Sequence, residues 1–404
     1  MILALAWKNI WRNKTRSLIV ILAIAFGLWG GLFSGGLMVA IGDSMVNSAI
    51  DRDLGHIQIH HPRYDENKDI RRFVPNTPLV LQKLKTFDGI SDITTRSRFL
   101  GIASSATSSF PVQITGIYPD QEKKVTRLFE RIKQGTYFKS KRKNAILIGE
   151  KLAHRLNLRL HSKLVLGFEG LQGELINVAC RVEGIYKTES SQFDEMNVYL
   201  PAEFLFKSLA CEPVFHEIAI RLKDADLVPS QTEKIKRLFS DLKVESWKER
   251  SPETAFIADL MILYTYFFLV FILFAVLFGI TNTMLMSVVD RVRELGMLMA
   301  IGMKKNLVFG MILLESLLLS LTGGLVGIVI GGLTLKLTNH SGINLSIFKA
   351  SLESFGSSSI LYPTLPTEMY LMLTFLIVLI ANLAAIMPAI KAIRLEPARA
   401  IRTV

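Results

Sequence analysis

Between Asp259 and Asp290 the chain reads LMILYTYFFLVFILFAVLFGITNTMLMSVV, a run without a single charged side chain. At 1.5 Å per residue, a helix over 260–289 spans about 45 Å, more than the roughly 30 Å hydrocarbon core of a bilayer. A membrane-spanning segment must also satisfy its own backbone hydrogen bonds, as a helix does. We therefore predict a transmembrane helix that projects beyond the bilayer toward an outer domain.

Three further apolar runs are long enough to cross a membrane. They lie between Arg16 and Asp43, between Glu315 and Lys336, and between Glu368 and Lys391. Half of the 404 residues are hydrophobic and only 20% are charged, which is unusual for a soluble chain. The predicted fold class is membrane α+β: four transmembrane helices (one plus three), with a large mixed α/β extracytoplasmic domain inserted between helices 1 and 2.

The distribution of basic residues predicts the orientation of the chain. Residues 1–16 carry basic but no acidic side chains, and the loop 290–305 and the tail 389–404 also have a basic excess. Because short basic segments stay in the cytoplasm, we predict a multi-pass inner-membrane protein with both termini cytoplasmic and the block 43–259 periplasmic. The net charge of +12 is then a topology signal, and we do not expect a nucleic-acid partner.

The predicted segments follow from these runs. They are an amphipathic cytoplasmic segment 1–16, helix 1 at 17–42, a periplasmic domain 43–259, helix 2 at 260–289, a cytoplasmic segment 290–305, helix 3 at 306–336, an outer loop 337–367, helix 4 at 368–388 and a cytoplasmic tail 389–404. Helix 1 is longer than the core of a signal peptide, which favours an uncleaved anchor. The segment before it fits either a helix lying in the membrane interface or an extension of helix 1.

Apolar alternation and turn residues predict a mixed domain between helices 1 and 2. Predicted strands lie near 54–61, 99–106, 112–117, 145–149, 163–168, 180–186, 197–200 and 217–222, and predicted helices near 77–87, 150–157 and 230–239, with one starting at 201. The histidines at 56, 60 and 61 favour a solvated strand face over a metal site. A disulfide between Cys180 and Cys211, the only cysteines, is left open.

Two helices carry glycines every four residues, and another is rich in phenylalanine. The glycines are Gly27, Gly31, Gly35, Gly323, Gly327 and Gly331, and the phenylalanines of helix 2 include Phe267, Phe268, Phe271 and Phe274. Glycines at this spacing let helix backbones approach closely, within one bundle or between subunits. The phenylalanines and the smooth glycine face of helix 1 are candidate surfaces for membrane lipid or acyl chains. Glu315 fits a favourable charge at the start of helix 3 better than a proton relay, because the sequence shows no cationic partner.

Catalytic signatures are missing from these residues. No Gly-x-x-x-x-Gly-Lys-Ser/Thr phosphate loop, Gly-x-Ser-x-Gly or His-Glu-x-x-His motif occurs. We therefore expect no enzyme activity and no cofactor in this chain, and a function in conformational work or binding.

Two segments next to predicted helices resemble those of a known permease family. DRVRELGMLMAIG at 290–302 follows helix 2, and PAIKAIRLEPARAIR at 388–402 follows helix 4. Together with ILIGEKLAHRL at 146–156 and VEGIY at 182–186, they resemble the ABC transporter permeases that include the lipoprotein-releasing Lol permeases, the MacB efflux pump and FtsX. One departure is His161-Ser162, where the family often has Gly-Asp before a strand.

The resemblance implies a role for the segment 290–305 as a coupling element on a separate ATPase. The implied coupling residues are Arg291, Arg293, Glu294, Leu295, Gly296, Leu298 and Gly302. The implied partners are two ABC ATPase subunits, which bind ATP and Mg, and a second permease that is either a copy or a paralogue. ATPase closure would move the outer domains mechanically, in a process likened to mechanotransduction.

The chain resembles the Lol-type permeases most among the members of this family, and this resemblance implies a cargo. A Lol-type permease extracts lipoproteins from the outer leaflet of the inner membrane and passes them to a periplasmic carrier. MacB-like export of peptides or small amphiphiles, and an FtsX-like signalling subunit without transport, stay open as alternatives.

Overall fold

The computed structural model describes residues 6–7, 10–12, 14–64, 70–139 and 144–394. The chain forms two compact units. The helical unit comprises Met1–Gly42, Asp259–Asn344 and Ile360–Val404, and the α/β unit comprises Asp43–Ala258 and Leu345–Ser359. The predicted segment 1–16 and tail 389–404 fall partly outside the described residues.

In chain order, the first half of the elements runs from a long helix into a mixed sheet. They are α1 Lys14–Ala49, β1 Ile57–His60, α2 Thr77–Lys85, β2 Ile90–Ser104, β3 Ser109–Ile117, α3 Pro119–Val125, β4 Ile132–Gly135, β5 Ala145–Gly149, α4 Glu150–Arg155, β6 Lys163–Glu169 and β7 Leu175–Tyr186. The second half is α5 Ser191–Met196, β8 Asn197–Pro201, α6 Ala202–Leu209, β9 Glu217–Leu222, α7 Val228–Leu238, β10 Lys243–Ser246, α8 Trp247–Arg250, α9 Pro252–Asp290, α10 Val292–Ala300, α11 Lys305–Ser341, β11 Ile343–Asn344, α12 Lys349–Ser354, β12 Ile360–Leu361 and α13 Thr367–Ile393.

Four helices of the described residues, α1, α9, α11 and α13, are long and apolar enough to cross a membrane. The α/β elements lie between the first and the second of them, which confirms the predicted fold class. Each helix is longer than the span predicted from the sequence; α1, for example, starts at Lys14 and ends at Ala49, beyond 17–42. The extra turns carry charged or polar residues that a helix tolerates outside hydrocarbon, so the membrane limits themselves stay predictions.

The glycines of α11 lie against α1. A Cβ atom at Gly323 would lie 2.9 Å from the backbone oxygen of Ile21, and one at Gly327 would lie 3.0 Å from that of Ala25. Any side chain at these positions would force the two helices apart. Close packing within the chain therefore accounts for the glycines of α11, including Gly331, which meets Leu32.

The glycines of α1 lie toward α9. Gly27 meets Val276, Gly31 faces Leu269, and a Cβ at Gly35 would lie 3.2 Å from Thr265. The hypothesis that this glycine face offers a free surface to acyl chains is therefore wrong, because the chain's own second helix covers it.

In the α/β unit, six strands pair in a closed ring. The order around the ring is β2, β3, β8, β5, β7 and β6, and β6 pairs back to β2. The pairs β3–β8 and β5–β7 are parallel and the other ring pairs are antiparallel. Ile114, Ile146, Leu164, Val182 and Val198 of these strands are buried in one apolar core, which residues of α4 and α6 complete.

Beyond β2, the sheet continues through β9, β1 and β10. Ile59, Ile218 and Val244 of these strands pack with Val80 of α2 and Ile235 of α7 in a second core. All four residues of β1 are buried. The expectation that the histidines decorate a solvated strand face is wrong for His56 and His60, because the sheet and its helices cover both sides of β1.

Most predicted strands and helices of this unit are present, with β2 starting earlier than the predicted 99–106. The short strands β4 and β10 and the short helices α3 and α5 were not predicted. Part of the predicted outer loop, 345–359, belongs to the α/β unit. There the Ser358 amide donates to Ser44 Oγ over 3.0 Å, and Glu353 of α12 lies 3.6 Å from Lys187 Nζ.

Candidate functional site

The segment between α9 and α11 forms a short, sharply bounded helix. The helical conformation is interrupted at Arg291, after α9. The chain then forms α10 and turns at Gly302. Gly302 has a φ of +105°, a backbone conformation that residues with a side chain rarely adopt. Its amide donates to the backbone oxygen of Met299 over 3.1 Å, which satisfies a carbonyl at the end of the helix.

The structure divides the predicted coupling residues between two sides of α10. Leu295 and Gly296 are buried in the helical unit, and Leu298 is half-buried. Arg293 is exposed, together with Met297 at 50% and Ile301 at 86%. The sequence reasoning did not single out Met297 and Ile301, although their spacing of four residues places them on one helical face. A partner can touch this exposed side directly, whereas the buried residues set the position of the helix.

Arg291 forms a buried ion pair with Glu315 of α11. Its Nη1 lies 3.0 and 3.1 Å from the two carboxylate oxygens, and both side chains are nearly inaccessible to solvent. The sequence-based view of Glu315 as a carboxylate without a cationic partner is therefore wrong. The pair fixes the junction between α9 and α10 to α11.

Glu294 joins the same network at the edge of α10. It accepts hydrogen bonds from Arg12 and, over 3.4 Å, from Arg291 Nε. The bond from Arg12, followed by the positive charges of Arg12 and Arg291, lowers the pKa of Glu294. The predicted (i, i+3) contact between Arg291 and Glu294 is thus part of a larger network that reaches the residues before α1.

One side of α9 carries large exposed aromatic side chains. They are Phe267, Phe268, Phe271 and Phe274, with exposed fractions of 44–58%. The opposite side buries Leu269, Leu273 and Val276 in the helical unit. The phenylalanine face, defined by the four aromatic residues, is therefore about half exposed and lies outside the apolar core that the described helices form.

The α/β unit contains a buried ionic cluster of Asp53, Arg96, Arg98, Glu122 and Glu217. Arg96 donates to Glu122 over 2.6 Å and to Glu217 over 2.5 Å. Arg98 donates to Glu217 over 2.6 Å and to Asp53 over 2.9 Å. Arg96 and Arg98 are two residues apart on β2 and therefore share a face, and Glu217 on β9 pairs directly opposite Arg96.

The opposite charges in the buried ionic cluster stabilise one another in their ionised forms. Burial favours the neutral form of Glu217, but the charges of Arg98 and Arg96 outweigh it and hold the pKa of Glu217 well below its usual range. Burial also opposes the charge of Arg96, but Glu122, Glu217 and Asp53 raise the pKa of this arginine. The cluster ties the turn after α1, which holds Asp53, to two neighbouring strands of the sheet.

The described part of the chain contains neither a metal-binding cluster nor a disulfide. No three histidine, cysteine, aspartate or glutamate side chains there converge as a metal-binding group. His60 is held between Gln58 and the backbone oxygen of His216, and burial lowers its pKa to about 4. Cys180 and Cys211 are free thiols in the structure.

Comparison with known proteins finds sequence similarity to membrane permeases. Residues 266–397 match the family described as FtsX-like permease C-terminal. The chain is 25% identical to the macrolide export ATP-binding/permease protein MacB of Escherichia coli over 389 residues, 88% of this chain and 56% of MacB. It is 23% identical to the lipoprotein-releasing system transmembrane protein LolC of Xylella fastidiosa, over 72% of this chain and 73% of LolC.

The matched family region contains most of the helical unit described above, including the α10 segment and the Arg291–Glu315 pair. The chain spans about half the length of MacB, 56%. The extracellular domain of YknZ from Gram-positive bacteria is 18% identical and covers 47% of this chain, with a TM-score of 0.34. Residues 266–397 therefore form an FtsX-like permease C-terminal region, and the chain as a whole is similar to the permeases MacB and LolC.

Proposed function

We propose that this chain is a permease subunit that uses the motion of a separate ABC ATPase to extract lipoproteins from the outer leaflet of the inner membrane. The observation that carries the proposal is the phenylalanine face of α9, which is about half exposed and lies outside the apolar core of the described helices. Removing an acyl chain from a bilayer costs about 0.8 kcal/mol per CH₂ unless another apolar surface replaces the lipid. An exposed aromatic face within a membrane helix supplies such a surface.

In this proposal, α10 and both chain termini face the cytoplasm and the α/β unit faces the periplasm. Two ATPase subunits, which bind ATP and Mg, dock on the exposed side of α10, at Arg293, Met297 and Ile301. A second permease, identical or paralogous, completes the transporter, and a periplasmic carrier receives the lipoprotein. The similarity to LolC over 72% of this chain supports this cargo.

The second candidate function is MacB-like export of peptides or small amphiphiles from the periplasm. The observation in its favour is the similarity to MacB, which extends over 88% of this chain. Both functions share the coupling element and differ in the cargo that reaches the phenylalanine face.

A photo-crosslinker separates the two functions. With p-benzoylphenylalanine in place of Phe271, we expect crosslinks to triacylated lipoproteins, and ATP should lower their yield as cargo is released. The matched control is Phe375 of α13, which is 65% exposed and apolar but lies on a different helix. Crosslinks to phospholipid alone, equal at the two positions and unaffected by ATP, would exclude lipoprotein from the phenylalanine face and favour export.

A second test addresses the coupling element. Arg293→Glu reverses a charge, and Ile301→Asp places a charge where an apolar side chain would be buried against the ATPase. Each variant should reduce permease-stimulated ATP hydrolysis at least tenfold, because both side chains are exposed where an ATPase would dock. Arg237→Glu, at an exposed arginine of the α/β unit, should leave stimulation unchanged. If both α10 variants stimulate the ATPase normally while they insert and assemble normally, the contact lies elsewhere.

A further inference from the structure

A pocket of about 460 Å³ opens in the α/β unit beside Arg52. This volume lies within the range of about 300–1,000 Å³ that is usual for small-molecule sites. Leu100, Val112, Phe193 and Met196 give the pocket an apolar wall, and Leu100 and Met196 are largely exposed although they are apolar. The pocket therefore combines a cation with an apolar surface.

Two nitrogen atoms of the Arg52 guanidinium are buried without a hydrogen-bond partner. Its Nε and Nη1 atoms are inaccessible to solvent and have no hydrogen-bond partner among the described residues. The guanidinium lies 4.8 Å from the centre of the Phe193 ring, a favourable contact that leaves the donors unsatisfied. A buried charge in this state is costly, and an anion in the pocket would remove much of that cost.

The carboxylates around Arg52 are committed to other partners. Asp53 accepts from Arg98 over 2.9 Å, Glu189 pairs with Arg131 over 2.6 Å, and Asp194 accepts from Thr188 Oγ1 over 2.7 Å. Burial also raises the pKa of Asp194 to about 7, which weakens its negative charge at neutral pH. Burial lowers the pKa of Arg52 despite these neighbours, because none of them bonds to it.

We propose that the Arg52 pocket binds an amphiphile through its oxyanion headgroup, a phosphate or a carboxylate. The headgroup pairs with the positive charge of Arg52, whose planar guanidinium is well suited to oxyanions. The apolar chain lies along Leu100, Val112 and Met196. This inference does not depend on the cargo or on the ATPase, because it concerns a pocket formed by the α/β unit alone.

The test is calorimetric titration of the full chain, held in nanodiscs, with hexyl phosphate. Empty nanodiscs provide the background for partitioning into lipid. We expect hexyl phosphate to bind at least tenfold more tightly than hexanol, which lacks the charge, and than inorganic phosphate, which lacks the chain. Equal affinity for inorganic phosphate would overturn the amphiphile assignment, and equal affinity for hexanol, or no binding of hexyl phosphate, would overturn the anion site.

Substitutions locate the site. Arg52→Met should weaken hexyl phosphate binding at least tenfold, whereas Arg237→Met, at an exposed arginine of the same unit, should not change it. Gln192→Glu places a negative charge at the exposed rim of the pocket and should weaken binding several-fold without disturbing the fold. Hydrogen exchange of β2 verifies that each variant is folded. Unchanged affinity in Arg52→Met or in Gln192→Glu would contradict the proposal.

Discussion

Glu217→Gln is expected to destabilise the α/β unit by about 3–5 kcal/mol, because it leaves two buried arginines without part of their countercharge. Both Arg96 and Arg98 donate to the Glu217 carboxylate and have almost no solvent access. Hydrogen exchange of the full chain in detergent measures the effect locally. Amides of β2 and β9 should exchange on the order of 10²–10⁴-fold faster than in the unmodified protein.

Two comparisons make this expectation specific to the buried ionic cluster. Glu169→Gln changes an exposed glutamate at the end of β6 and should leave exchange nearly unchanged. The double variant Arg98→Met/Glu217→Met removes both signs of charge and should recover part of the loss. Slow exchange in Glu217→Gln, equal to that of Glu169→Gln, would show that water or rearrangement compensates the arginines.

The depressed pKa of Glu217 also sets the pH range of this effect. A carboxylate with a lowered folded-state pKa contributes its full stabilisation above its unfolded pKa of about 4.3, and this contribution is lost as the pH falls through the folded value. The difference in exchange protection between the unmodified protein and Glu217→Gln should therefore be the same at pH 5.5 and at pH 7.5. A difference that shrinks as the pH falls from 7.5 to 5.5 would mean that the pKa of Glu217 is raised in the folded protein instead of lowered.

The buried ionic cluster also shows where reasoning from the sequence ends. The residues TTRSR at 94–98 contain hydroxyls and arginines, and nothing in their local pattern indicates burial on β2. The two arginines are buried because the fold brings countercharges beside them. Glu122 on α3 and Glu217 on β9 both contact Arg96, although they lie 26 and 121 residues from it in the chain. Countercharges this far apart in the sequence produce no local pattern from which their pairing could be predicted.

The membrane helices were predictable for the opposite reason. The apolar runs of α1, α9, α11 and α13 are local, continuous and uncharged, so that each run identifies its helix without knowledge of the others. The spacing of Gly323 and Gly327 correctly indicated a close helix contact but not which helix would fill it. Which residues of α10 are exposed depended on the packing of the whole helical unit, and the sequence did not separate Met297 from Leu295.

Arg291→Met and Glu315→Leu are each expected to destabilise the helical unit by about 3–5 kcal/mol, because either change removes the nearest countercharge of a buried ion. The loss should appear as a lower melting temperature of the purified chain in detergent. Arg293→Met removes an exposed arginine two residues further along α10 and should leave the melting temperature unchanged.

The double variant Arg291→Met/Glu315→Leu tests whether the pair itself is responsible. It contains no unpaired buried charge, so its melting temperature should return close to that of the unmodified chain. If the pair also positions α10, this double variant should still stimulate the ATPase less than the unmodified chain does, because an apolar contact holds the α9–α10 junction less specifically than two directed hydrogen bonds do. Full stimulation together with full stability would limit Arg291 and Glu315 to a structural role. A double variant as unstable as either single one would mean that the two charges are not coupled as the geometry indicates.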